Sequence, residues 1–185
     1  MFCLIALTAG VCLARPPVLA QTSDMALPCA GLEPGPRRTV TRIVDAETVA
    51  LDDSSELRLI GALAPRAIDV GADPGMWPLE VAARAELAAL LLGRSIDIAF
   101  AAGERTDRYG RLQAQAFWRD GDKLRWAQGH MLEQGLARAY ALGGNSTCRD
   151  ELLAAERTAR EAGRGVWKEA AYQVRGADRP LELAR

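Results

Sequence analysis

The chain has few of the side chains that most often carry chemistry in small enzymes. Its 185 residues include one His, His130, and two Lys, Lys123 and Lys168. A single His excludes a His-rich metal centre, and a Ser-His-Asp triad would have to be built on that residue alone. Aromatics are scarce, with four Trp, three Tyr and three Phe. Trp118, Trp126 and Trp167 are not spaced as a stacking platform, so core packing is their default role. Charge of one sign is also missing. The 23 basic and 24 acidic side chains leave a formal net charge of −1, which excludes a polyelectrolyte that grips nucleic acid by bulk charge. Any anion site must come from a local cluster.

What is present is a hydrophobic fraction of 49%, enough for one domain with its own core. All basic residues other than the two Lys are Arg, which suits bidentate recognition of phosphate or carboxylate. Codon usage in a GC-rich genome produces the same excess without any function.

Phe2 to Ala14 is an apolar run without charge, followed by Arg15-Pro16-Pro17 and Val18-Leu19-Ala20. This predicts a signal peptide over residues 1–20, cut after Ala20, and a secreted or periplasmic protein. The run is too short to span a bilayer, so no stable membrane anchor is expected. It lacks a basic leading region, and Val11 before Cys12 argues against lipoprotein processing. Cleavage removes Cys3, Cys12 and Arg15, takes the net charge to −2 and leaves Cys29 and Cys148. In an oxidising compartment that pair is expected to form a disulfide closing about 120 residues. Two unrelated buried thiols are the other reading.

Residues 21–38 are rich in Pro and Gly and read as a flexible lead-in. The domain is placed at 39–168, with a C-terminal tail at 169–185. Thr39 to Val44, Thr48 to Leu51 and Glu56 to Ile60 alternate or carry β-branched residues around the turn Asp52-Asp53-Ser54-Ser55. Residues 66–76 read as a loop. Pro78 opens a helix through Leu79, Ala83, Leu87 and Leu91 that stops at Gly93. Ser95 to Ala101 and Leu112 to Trp118 read as strands, and Asp120-Gly121 as a hairpin signal. A short helix is expected over Ala127 to Gln134. Thr147 with Asp150 forms a capping-box start for a last helix to Ala162, after which Trp167 packs back on the core. Strands, a helix, strands and two helices argue for an α+β fold with a small closed sheet.

Four segments in this order resemble the staphylococcal nuclease (thermonuclease) family. They are Arg42 to Val49, Glu56 to Gly61 running on to Ala64-Pro65, Thr106 to Arg111, and Gln134 to Arg138, and the stretch from Glu156 to Trp167 is also similar. The resemblance implies an OB-fold five-stranded β-barrel with three helices. It also implies hydrolysis of DNA and RNA phosphodiesters with Ca²⁺, held chiefly by two Asp carboxylates, with a Glu as general base and two Arg on the phosphate. The chemistry is consistent with those residue types: Ca²⁺ takes hard oxygen ligands, water needs a proton acceptor, and the phosphoryl transition state needs fixed positive charge.

Carried over residue by residue, both family arginines are present as Arg58 and Arg111. The acids are altered. The first Asp ligand position holds Glu47, an oxygen ligand of doubtful use; the second holds Leu63; the general-base position after Pro65 holds Arg66. Glu47 with Arg58, Arg66 and Arg111 sums to +2, which would repel Ca²⁺ and welcome an anion. Arg66 either points into this site or turns to solvent and pairs with Asp69. Glu47 is read as a salt-bridge partner for an arginine, Asp45 and Asp107 as turn residues, and Tyr109 as packing or as a neighbour of a bound phosphate. His130 has no acidic or thiol partner nearby in sequence.

The expectation is therefore a secreted nuclease-fold domain that has lost Ca²⁺-dependent hydrolysis, needs no cofactor, and binds nucleic acid or nucleotide phosphate through Arg58, Arg66, Arg111 and Tyr109. A weak or differently activated nuclease is the main rival. A structural or protein-interaction scaffold is the second.

Overall fold

Period-two burial builds the sheet. In β3 (Glu56–Leu59) Leu57 and Leu59 are buried and Arg58 between them is not. The same logic places Val49 and Leu51 of β2 (Thr48–Leu51) and Ile96 and Ile98 of β5 (Ser95–Phe100) inside. The computed structural model describes residues 27–140 and 147–169. The predicted signal peptide and the predicted tail, apart from Glu169, lie outside the described residues.

Five strands close into a barrel. β3, β2, β1 (Glu33–Ile43), β5 and β6 (Leu112–Asp120) are neighbours in that order, and β3 returns to β6 to complete the ring. This closing pair is parallel, with Leu57 opposite Leu112 and Leu59 opposite Ala114, whereas the other pairings of the ring are antiparallel. Closure removes the exposed sheet edges that would otherwise recruit other chains. β7 (Lys123–Trp126) hangs on β6 through the hairpin at Asp120-Gly121. The sheet is thus a closed five-stranded mixed barrel with three helices, the α+β, OB-type architecture expected from the sequence.

Helix α1 (Pro78–Leu91) starts on a proline, whose fixed φ suits a first turn, and buries Ala83, Leu87 and Leu91. Helix α2 (Ala127–Glu133) buries Met131 and Leu132. Helix α3 (Arg149–Glu161) buries Leu152, Ala155 and Ala159 on one face. Each fully buried Leu contributes about 1.5–3 kcal/mol relative to exposure. A second, smaller cluster joins Ala159, Val166 and Trp167 to Val70, Trp77 and Leu79. Trp167 therefore packs back as expected, and it anchors the loop that follows the barrel strands.

Several elements differ from the sequence reading. β1 begins at Glu33, inside the stretch read as lead-in, and pairs Glu33 with Phe100 and Pro34 with Ala99. Its register shifts between Pro34 and Arg37, which lets a strand carry two prolines that cannot donate to a ladder. The residue ahead of α3 is Cys148 rather than Thr147; it has φ of 63° and its own side chain gives no cap, being joined to Cys29. That disulfide is present, with the two Cα atoms 5.1 Å apart and both cysteines buried. A two-residue pairing of β4 (Ala62–Leu63) with β8 (Arg138–Ala139) was not legible, and the loop at 66–76 contains a 3₁₀ turn, Ala67–Val70.

Candidate functional site

A cleft of about 460 Å³ opens where the β1–β2 turn, β3 and the segment after β4 meet, and Arg58, Arg66 and Arg111 all line it. Leu57 and Leu59 point into the barrel, so Arg58 must project to the other side of β3.

Glu47 sits in a tight turn in which its own N–H donates to Asp45 Oδ1 at 2.7 Å. Its carboxylate is buried and fully engaged. Oε1 accepts the Ala64 N–H at 3.2 Å, and Oε2 lies 3.4 Å from an Arg58 guanidinium nitrogen. Burial pushes the Glu47 carboxyl above its ordinary value, and Arg58 opposes that shift. The salt-bridge role expected for Glu47 is the one it has. The Tyr140 hydroxyl is buried in the same neighbourhood without a well-formed hydrogen bond, and burial likewise raises its pKa.

Of the two directions open to Arg66, the structure shows the pair with Asp69: residue 66 lines the cleft, and its exposed guanidinium holds Asp69 through bonds of 2.9 and 3.3 Å. Arg111 is bound by Asp107, whose Oδ2 lies 2.7 Å from the guanidinium and whose Oδ1 accepts the Tyr109 and Arg111 N–H groups. Burial works against the Asp107 anion, yet these hydrogen bonds hold the carboxyl below its ordinary value. Asp107 is thus a turn residue, as expected, and also a counter-ion. Tyr109 is exposed outside the cleft wall, with the Arg108 and Arg111 guanidinium carbons 4.8 and 5.3 Å from its ring centre.

The charge of the cleft corrects the sequence count. Asp45, Glu47 and Glu80 line it along with the three arginines, so its formal charge is zero rather than +2. Asp69 and Asp107 add further negative charge at the flanks. Sequence reasoning missed Glu80, which accepts the Ala67 and Gly75 N–H groups at 3.2 Å and thereby closes the loop before α1. Its signal was available as an acid in the first turn of a helix after a Gly- and Pro-rich loop. His130 also gains a partner that sequence distance hid: Glu86 of α1 lies 2.7 Å from its ring nitrogen, away from the cleft.

The Ca²⁺ implied by the resemblance asks for several free oxygen ligands. Position 63 supplies hydrocarbon, and both Glu47 oxygens already accept protein donors. Among the described residues, no three His, Cys, Asp or Glu side chains converge where they could hold a metal. The residues at the family positions do not fit that ion.

No curated protein matches the chain. A family model described as staphylococcal nuclease homologue matches residues 56–169, which takes in Arg58, Leu63, Arg66 and Arg111 and every element from β3 to the final 3₁₀ turn. With that match lying over a closed five-stranded barrel and three helices, the chain belongs to the staphylococcal nuclease homologue family.

Proposed function

We propose that this is an exported nuclease-fold domain that no longer hydrolyses phosphodiesters with Ca²⁺, and whose cleft takes a phosphate-containing anion through Arg58, Arg66 and Arg111. One observation carries the reading. The position after Pro65, where the family places its general base, holds an arginine that lines the same cleft as the two phosphate-stabilising arginines. A guanidinium cannot accept a proton from water, and removing such a base costs roughly 10²–10⁴ in rate. Three planar donors around one cleft remain suited to phosphate oxygens, although each must be shared with its carboxylate.

A nuclease assay on the purified mature protein, with and without Ca²⁺, tests the first half. The expected outcome is no Ca²⁺-stimulated cleavage of DNA or RNA. Cleavage that requires Ca²⁺ and disappears in Arg58→Ala establishes the active-nuclease reading instead. Thermal unfolding with inorganic phosphate tests the second half, with a rise in Tm expected in wild type and absent in Arg58→Ala. If neither cleavage nor a phosphate shift is found, the domain is a scaffold. Mass determination of the protein exported by a bacterial host tests processing after Ala20.

A further inference from the structure

The loop between β4 and α1 puts hydrocarbon on the wall of the cleft. Ile68 and Pro74 line it and both are exposed, Ile68 at 76%. One atom pins the two arms of this loop side by side: Glu80 Oε2 accepts the N–H of Ala67, just before Ile68, and the N–H of Gly75, just after Pro74, each at 3.2 Å. Met76, 74% exposed, and the exposed Val81 follow Gly75 and Glu80 in the chain and extend the apolar surface from the same point. We propose that the cleft takes a monoanionic phosphate diester bearing an aliphatic group, with the phosphate on the arginines and the aliphatic group against Ile68 and Pro74. This inference rests on the anion reading of the cleft, and its test is chosen to fail separately.

Charge supplies little of the affinity in such a site. Arg58, Arg66 and Arg111 each hold a carboxylate of this chain in Glu47, Asp69 and Asp107, and with Asp45 and Glu80 these acids oppose every negative charge that a ligand brings. A dianion meets about twice the repulsion that a monoanion meets, so a head group with one charge is the better match. What remains is contact. Exposed apolar groups that adjoin one another and are edged by polar residues mark binding surfaces, and covering Ile68 takes hydrocarbon out of water at no electrostatic cost. The apolar wall is also aliphatic. No aromatic ring lines the cleft among the described residues, and Tyr109 stands outside it. A nucleobase therefore finds no stacking partner there, whereas an alkyl chain meets a surface of its own kind.

Dimethyl phosphate and dibutyl phosphate are both monoanions at pH 7 and differ only in hydrocarbon, so calorimetric titration of the disulfide-intact mature protein with each isolates the apolar contact. Dibutyl phosphate should bind at least about tenfold tighter, or about 1.4 kcal/mol. Ile68→Ser should narrow that ratio. Leu92→Ser, which removes an exposed apolar side chain beyond the opposite end of α1 and outside the cleft, should leave it unchanged. Diphenyl phosphate should bind no tighter than dibutyl phosphate, and a clear advantage for it overturns the aliphatic assignment. A free ester and a lipid headgroup present the same chemistry. Co-sedimentation with phosphatidylglycerol vesicles that dibutyl phosphate competes away assigns the lipid, and dibutyl phosphate binding without vesicle binding assigns the free ester. Equal binding of the dimethyl and dibutyl esters overturns the proposal while leaving the anion reading standing. A ratio that survives Ile68→Ser overturns the assigned contact. If neither ester binds, the anion reading itself fails.

Discussion

Glu156 shows what burial does to a single carboxylate in this fold. It is 2% exposed on α3, and its Oε1 accepts the Ala139 N–H at 2.9 Å, which fixes β8 and through it β4. Burial raises its pKa above the ordinary 4.5, with the Ala139 N–H, Arg160 and Arg138 pulling the other way. A raised carboxyl favours the protonated native state, so its contribution to stability is full below pH 4.5 and is lost as pH rises through the folded value. Glu156→Gln keeps the acceptor and removes the charge. Urea unfolding should find the variant more stable than wild type at pH 7, with the difference shrinking towards pH 4. A variant less stable at pH 7 would mean that Arg138 and Arg160 outweigh burial.

At the same scale, Leu63→Asp combined with Arg66→Glu restores the acidic residue types of the family pattern. Calorimetry with Ca²⁺ should detect binding in the double variant and none in wild type. No gain would mean that the β4 segment aims these side chains away from a common point.

Among the elements, the crossing of the α2 C-terminus over the final 3₁₀ turn is the tightest joint. Gly135 has φ of 66°, its carbonyl accepts the Val166 N–H at 2.9 Å, and a Cβ there would run into the Arg164 backbone. Gly163 has φ of 57° with open space around it. Gly163→Ala should therefore cost only the left-handed penalty of about 1–2 kcal/mol, whereas Gly135→Ala should cost clearly more. Denaturant unfolding of the two variants measures the difference, and equal losses would exclude the clash. In the sequence Gly135 follows α2 and Gly165 lies shortly after α3, but their contact is not legible there, because two distant segments show a shared crossing only once the chain has folded. Helix α1 was legible to within a residue or two because proline, apolar spacing and glycine agree on it. The start of β1 was not, since Pro34 and Pro36 are loop residues by composition and strand residues only through the bulge.

For the molecule as a whole, the barrel was legible from motif order and alternation, and its parallel closure of β3 on β6 was not, because that pairing joins segments with a full helix and strand between them. The candidate site divides in the same way. Arg58, Arg66 and Arg111 were placed by position in a pattern, and a Glu47 salt bridge and an Arg66–Asp69 pair were legible beside them, while the Asp107 ion pair to Arg111 depends on side-chain directions. The Cys29–Cys148 disulfide spans 119 positions of the sequence, and chain entropy gives an upper value of about 4–5 kcal/mol for such a loop. Cys29→Ser with Cys148→Ser should lower stability by up to that amount in guanidinium unfolding. No change would mean that native packing alone fixes both segments.

The same bond makes nearly all of the domain a covalent ring. A single backbone cut anywhere between residues 30 and 147 leaves both products linked through Cys29 and Cys148. A nicked molecule would keep its mass on a non-reducing gel apart from one added water, and would separate into two bands only under reduction.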